Sequence, residues 1–530
     1  MAGRSVHDPG PGRGTVRRRP HMRSGRKERA ELNIATLLRR SAADRPDAVA
    51  LRLDDVEIDY AGFAEQGARF AAHLRASGVR PGDRVGFFLP NCLEYLVGLL
   101  GTWQAGAVGV PLNHMFPDDP LRYAIEDSGV TVLVLTADDR DRVGALLDGG
   151  GPELLTTGPD GGFAAAVAAH EPMGTVVPRL DRDDACLMYT SGSTGKPKGV
   201  RQTHRNIAAE VDGAIDFYEL TADDHVLNCM PLFHVGGLQL ASLPILVRGG
   251  QITFMPRWDV VRWIELAQRL RPTYGGLIST MMIDVGNRTV KAPVVLDSFR
   301  ICMFGGSRTP SAAIARLEAG TGIVGVEIYG QTEQNGLVVS YRAGDTRRPD
   351  SMGRPLEQIV DTRLVPVDGG PDLHPGDDGV GELWVRGDAV TPGYWNIDAP
   401  ERWSDGWFRT GDLVSTDADG YLYYVDRIDD MIVSGGENVF PQMVEEHLAA
   451  HPDLAEVAVI GTAHDRWVEQ VTAVVVPNRD GVTAEAVADW CATNPNLRGM
   501  PKPRRIEVVE ALPRTGSGKL NRPDLRRMFP

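Results

Sequence analysis

Tyr189-Thr190-Ser191-Gly192-Ser193-Thr194-Gly195-Lys196-Pro197-Lys198-Gly199-Val200 follows directly on the apolar run Ala185-Cys186-Leu187-Met188. Three glycines, four hydroxyl residues and two lysines within twelve positions combine freed backbone amides, hydroxyl donors and ammonium groups. Together they make a cradle for a polyanion, and a phosphate chain is its natural guest. The stretch is not a Walker A loop: the position five before Gly195 is Thr190, and Pro197 follows Lys196. The amides are therefore expected to wrap phosphates as a strand-to-strand loop rather than at a helix start. A plain Gly/Ser linker is the bland alternative, and lysines at fixed spacing beside a buried strand argue against it.

The string resembles the phosphate loop of the adenylate-forming superfamily, which embraces acyl- and aryl-CoA synthetases, peptide-synthetase adenylation domains and luciferases. Further motifs recur in the family's order, so the likeness covers nearly the whole chain after about Leu32. It implies an α/β fold, with a large N-terminal domain of parallel-rich sheets packed by helices and a small mobile C-terminal α+β domain. The divisions expected are a disordered basic tail over 1–30, the large domain over 31–428 and the mobile domain over 429–530.

Composition agrees with a globular enzyme: 530 residues, 42% hydrophobic and 24% charged, are enough for two or more cored domains. The net charge of -15 is uneven, because the first 30 residues carry nine Lys and Arg against two acids. The acidic remainder argues against nucleic acid as a partner. Cys92, Cys186, Cys229, Cys302 and Cys491 are scattered, mostly inside apolar runs, and read as buried thiols of a reducing cytoplasm. No protein-ligated metal is expected. The apolar stretch Tyr95 to Leu112 contains Gln104 and Pro111, so a buried helix running into a strand is expected there, not a membrane span.

Helical spacing between Leu32 and Ala76 is broken by a hairpin pattern around Val49 to Tyr60. Strand signals fall at 82–89 and 130–135, and an amphipathic helix is expected after Thr203-His204, through Phe217. Met230 to Leu238, MPLFHVGGL, reads as an apolar strand ending in His234 and two glycines. A lone histidine of this kind is usually a satisfied core residue; by the resemblance, His234 borders the acyl pocket and the nucleotide. No aspartate lies in Phe233 to Leu240 to pair with a substrate ammonium, which disfavours an α-amino acid. Arg257 matches a position that touches coenzyme A phosphates in plant-type ligases, with a solvated surface arginine as the alternative.

A strand over 300–304 ends in Gly305-Gly306-Ser307, where missing side chains leave a slot for adenine. Another strand delivers Tyr329-Gly330-Gln331-Thr332-Glu333: the tyrosine face can stack on a purine, Thr332 can reach the α-phosphate, and Glu333 offers a carboxylate to phosphate-bound magnesium. Asp412, expected at a strand end, can accept from both ribose hydroxyls. Arg427 resembles the family's second ribose contact, and Asp429 its interdomain hinge. Gly435-Gly436 opens the small domain, and Gly516-Ser517-Gly518-Lys519 makes a flexible arm tipped by one lysine.

The resemblance implies ATP-dependent activation of an aromatic or fatty acid as an acyl-adenylate, with pyrophosphate released and the acyl group passed to coenzyme A. ATP with magnesium and coenzyme A are the cofactors implied. Lys519 bridges acid, ribose and α-phosphate, while the 190–198 loop and Glu333 handle the leaving group. Rotation about Asp429 then withdraws Lys519 and brings Gly435-Gly436 to the acceptor channel. Met443 and Val468 stand where the family usually has glutamate and glycine, which keeps an amine acceptor or nitrite-activating diazotisation open as an alternative. A non-catalytic nucleotide-binding relative is a third reading, opposed by the presence of Glu333, Asp412, Arg427 and Lys519. No carrier-protein segment is expected to be fused to the enzyme.

Overall fold

The computed structural model describes residues 30–147, 150–190, 196–306, 311–342, 344–367, 369–434, 437–464, 466–493, 502–514 and 520–529. Nearly all of the basic tail, Ser191 to Gly195, Ser307, Gly435, Gly436 and Lys519 lie outside the described residues.

Two parallel-rich sheets form the larger body. One has six strands in the order Glu153–Thr156, Val130–Leu135, Arg84–Phe88, Val108–Pro111, Asp184–Thr190 and Lys198–Thr203, with only the last antiparallel to its neighbour. The other has nine strands, and its middle runs parallel from Gly325–Tyr329 through Ile301–Gly305, Tyr274–Ile278, His225–Asn228 and Gln251–Phe254 to Val49–Leu53. Parallel strands need both faces covered, and the helices supply that cover.

The helix Leu93–Gln104 shows how tightly. All of it except Glu94 is buried, as a helix apolar on every side must be. A Cβ on Gly101 would lie 2.6 Å from the Gly67 carbonyl of the helix Tyr60–Ala76, so the two backbones touch where glycine alone fits. Trp103 Nε1 donates to Ala185 O at 2.8 Å, fixing this helix to the strand that leads into the phosphate loop. The apolar stretch continues into Val108–Pro111 as a strand. No helix among the described residues is long and apolar enough to cross a membrane.

An antiparallel sheet follows, built from Asp361–Pro366, Gly381–Arg386, Trp403–Ser404, Trp407–Thr416 and Leu422–Arg427. The last body is α+β. Its sheet joins Glu437–Val439, Ile432–Ser434, Val468–Pro477, Leu454–His464 and Arg505–Val508, with helices Pro441–Leu448, Ala484–Thr493 and Arg522–Met528. Ile432, Val444, Leu448, Val459, Val471 and Val487 give it a core of its own.

Two local expectations fail. Met230 to Leu238 is not a strand: the strand ends at Asn228, and a turn leads into the π-helix Gly236–Leu240. Asn228 Nδ2 reaches back to Gly237 O at 3.0 Å and Ser242 Oγ at 2.9 Å, and these bonds fold the apolar run over itself. Asp412 is not at a strand end either. It sits inside the ten-residue strand Trp407–Thr416, next to a register shift between Leu413 and Val414.

The helix His204–Tyr218 carries the expected apolar face, but one member is Glu210, which is fully buried with neither oxygen hydrogen-bonded among the described residues. Burial alone holds its carboxyl well above the usual range, so it keeps its proton. In the unfolded chain the group ionises near its ordinary value of about 4.3. Above that pH the unfolded state binds fewer protons than the folded one, so stability falls as pH rises. Glu210→Met is therefore expected to raise the melting temperature, with a larger gain at pH 8 than at pH 5; equal gains at both would contradict this account.

Candidate active site

Strands Asp184–Thr190 and Lys198–Thr203 pair antiparallel, with Tyr189 opposite Gly199 and Thr190 opposite Lys198. They frame the loop predicted from sequence, and its two lysines leave the frame over aromatic rings. Lys196 Nζ lies 5.3 Å from the centroid of Tyr123, and Lys198 Nζ lies 5.7 Å from that of Tyr394.

Tyr394 is a residue that sequence reasoning missed. Its segment lies along the outer side of Lys198–Thr203, where Arg201 N donates to Gly393 O at 3.1 Å and Trp395 N to Gly199 O at 2.7 Å. Thr391 N also donates to Glu333 O at 2.7 Å. The Tyr394 hydroxyl donates to Glu333 Oε1 at 2.8 Å. Burial first, and the Glu333 charge second, hold the phenol above its usual range, so it remains a donor. One ring thus stands between the loop cation Lys198 and the carboxylate Glu333. The sequence signal for it is Gly393-Tyr394-Trp395, an aromatic pair directly after glycine.

Glu333 belongs to the single turn Thr332–Gln334, which follows the strand Gly325–Tyr329. Gln331 N donates to Gln334 Oε1 at 2.9 Å and Gln334 Nε2 to Gln331 Oε1 at 3.2 Å, closing the turn. Gly330 is required by the fold, because its Cβ would lie 2.4 Å from the Gly336 carbonyl carbon. The turn brings Tyr329 and Gln331 to Asp412: Tyr329 OH donates to Oδ2 at 2.5 Å and Gln331 Nε2 to the same oxygen at 2.6 Å. Arg427 Nη1 lies 3.0 Å from Oδ1, across the strand pair. Asp412 is buried and already serves three protein partners.

Gly305 has a structural cause as well, since its Cβ would meet Ile328 O at 2.5 Å. Gly306, at φ +83°, has no atom of the described residues within 4 Å of where a Cβ would sit, so among them it is the open position. His234 sits half-buried in the turn before the π-helix, its backbone N–H donating to Pro231 O at 3.1 Å. Phe233 packs edge-on against His114, with ring centroids 5.4 Å apart. Burial, with a smaller push from the Arg257 charge, outweighs the pull of Asp139 and holds His114 below its usual range. Arg257 itself is exposed. Sequence gave no warning of His114.

Two stretches of small or apolar residues, 276–282 and 335–338, differ in surroundings: the first meets Met230, whose Cε would lie 2.4 Å from a Cβ on Gly276. The stretch 335–338 belongs instead to the interior, with Asn335, Leu337 and Val338 fully buried. On the strand Leu422–Arg427 of the antiparallel sheet, the Asp426 carboxylate accepts from Gln442 N, near the start of the helix Pro441–Leu448, at 2.9 Å. Burial raises Asp426 to about 6. Asp430 pairs with Arg522 at 3.4 Å and Arg526 at 3.0 Å. Among the described residues no group of three or more His, Cys, Asp or Glu is placed to hold a metal ion.

The family model for the AMP-binding enzyme matches residues 38–395, and that for the AMP-binding enzyme C-terminal domain matches 443–519. A feruloyl-CoA synthase from Amycolatopsis sp is 38% identical over 496 residues, covering 92% of this chain and 98% of its own. An indoleacetate–CoA ligase from Aromatoleum aromaticum is 32% identical, with 94% and 98% covered. Among solved structures, ATP-bound MatB from Rhodopseudomonas palustris superposes with a TM-score of 0.84 at 29% identity, covering 94% of this chain and 99% of that one. The o-succinylbenzoate CoA synthetase of Bacillus subtilis, in complex with its acyl-adenylate intermediate, gives 0.83 at 27% identity, with 94% and 98% covered. The phosphate-loop frame, the Tyr329–Glu333 turn and a second α+β body therefore stand in a chain that belongs to the AMP-binding, adenylate-forming enzyme family.

Proposed function

We propose that this enzyme joins a carboxylic acid to coenzyme A in two steps: ATP activates the acid as an acyl-adenylate with release of pyrophosphate, and the thiol then displaces AMP. The observation that carries this reading is the end-to-end match to CoA ligases, both domain models included. A carboxylate is a weak nucleophile facing a polyanion, so the protein's task is positioning and charge neutralisation.

The roles are those the family resemblance implies, and the positions of the described residues Thr190, Lys198, Tyr329, Thr332, Glu333, Asp412 and Arg427 support them. Thr190, Lys198 and the loop between them hold the β- and γ-phosphates, and Thr332 faces the α-phosphate. Tyr329 with the open side of Gly306 takes the adenine, and Asp412 with Arg427 the ribose. Glu333, a hard carboxylate held by Tyr394, suits magnesium bound to ATP, which would neutralise phosphate charge there. Lys519 bridges acid and α-phosphate in the first step. The acid lies by His234, where apolar Met230, Gly276 and Met281 suit an aromatic or fatty chain. Arg257, exposed beside His114, is offered to the coenzyme A phosphates.

The small domain over 429–530 turns about Asp429 between the steps, bringing Gly435-Gly436 to the acceptor. Asp426 precedes that hinge and Gln442 follows it, so their hydrogen bond belongs to one of the two arrangements.

Ferulate and indoleacetate, named by the relatives, head the panel of acids to be supplied with ATP and magnesium, with and without coenzyme A. Acid-dependent pyrophosphate release, and a thioester only when coenzyme A is present, are the expected results by mass spectrometry. Pyrophosphate release without any thioester would refute the acceptor assignment, and nitrite with an aryl amine would be supplied next. Lys519→Ala is expected to slow adenylate formation about a hundredfold while sparing thioester formation from presynthesised adenylate. Equal loss of both steps would contradict its role. Asp412→Ala strands Arg427, Tyr329 and Gln331, and is expected to cost about 1–3 kcal/mol of stability without nucleotide as well as weakening ATP binding. An unchanged melting temperature would show that the protein contacts of Asp412 contribute little.

A further inference from the structure

Two fully buried glutamines form a polar line through the interior of the large body. Gln239 lies in the π-helix Gly236–Leu240 and Gln202 on the strand Lys198–Thr203. Gln239 Nε2 donates to Gln202 Oε1 at 2.7 Å, and Gln202 Nε2 donates to Thr332 O at 3.3 Å. The far end is fixed: Ser242 Oγ and Asn228 Nδ2 both donate to Gly237 O, at 2.7 Å and 3.0 Å. Gln239 Oε1 has no hydrogen-bond partner among the described residues.

Burying two primary amides, one with an oxygen left over, is a costly way to fill a core that methionine or leucine would fill without penalty. What the amides provide and hydrocarbon cannot is direction and length. They join three elements that carry separate parts of the site: the π-helix that begins two residues after His234, the strand that begins at Lys198, and the turn that holds Thr332 and Glu333. Short π segments are also a frequent feature of functional sites.

We infer that Gln202 and Gln239 are positioning residues, which hold the Thr332 carbonyl at a fixed distance from the π-helix and so set Thr332 and Glu333 against the nucleotide phosphates. This rests on the reading above that the Thr332–Gln334 turn faces those phosphates. Neither glutamine touches substrate; both act through the turn.

Calorimetric titration of MgATP and of adenosine into wild type, Gln202→Met, Gln239→Met and the double variant tests the assignment without requiring the acid to be known. Each single variant is expected to bind MgATP about tenfold more weakly, with adenosine changed less than twofold. The double variant should match the singles, because two links in series are lost together once either is cut. Adenosine weakened as much as MgATP marks a general packing role and overturns the inference, as do MgATP affinities that stay unchanged or losses that add. Should a methionine variant fail to fold, Gln239→Asn keeps the amide but withdraws it by one methylene, and the same selective loss is expected. A wild type that binds no MgATP would overturn the functional reading itself, a result distinct from any pattern among the variants.

Discussion

The carboxylate of Asp412 is the interaction on which the proposed nucleotide end of this molecule depends. It lies on the antiparallel sheet, and it accepts from Tyr329 at the end of a parallel strand and from Gln331 at the start of the next turn. A buried carboxylate without partners is expensive, so the two sheets cannot slide past one another without exposing that cost. Arg427 completes the set from the neighbouring strand. The seam between the sheets is thereby fixed at the point where the Thr332–Gln334 turn emerges. Parallel sheets characteristically offer ligands the crevice at the carboxyl ends of their strands, and Tyr329 closes one such strand.

How far the sequence could be read depended on whether the deciding partners were local. The loop after Tyr189 could be argued from sequence because glycines, hydroxyls and lysines crowd into one stretch and their chemistry requires no distant residue; the strands on either side of it pair antiparallel, as a strand-to-strand loop requires. Alternation of apolar runs was enough for the parallel sheets, and the buried helix Leu93–Gln104 was separable from a membrane span by Gln104 and the strand behind it. Met230 to Leu238 was misread because an apolar run without periodicity fits several conformations, and the choice is made by Asn228 and Ser242, which lie outside it. Asp412 was recognised by type but misplaced, since a register shift inside a long strand leaves little trace in composition.

Glycines taught a similar lesson. Gly305 and Gly330 belong to motifs associated with nucleotide binding, yet both are forced by backbone only about 2.5 Å away from where a Cβ would sit. Among the described residues, Gly306 alone of the three has open space, and it has a positive φ. A motif glycine can therefore serve the protein's own packing while a neighbour serves the ligand. The partners that were invisible in sequence, Tyr394 and Gln202 among them, act across separations of 61 and 130 residues.

The segment 391–395 completes the edge of the six-stranded sheet and delivers Tyr394 to Glu333. Pieces of chain from three distant regions must therefore meet before the proposed phosphate end exists, and loop closure over such spans is slow compared with forming local helices and hairpins. During synthesis the strands around Lys198 are complete well before residue 391 leaves the ribosome. Until then the edge strand Lys198–Thr203 has an unpaired side of the kind that invites association with other chains. The edge of Lys198–Thr203 is thus most exposed to association with other chains until residues 391–395 have been made, and the same short segment then brings Tyr394 to Glu333.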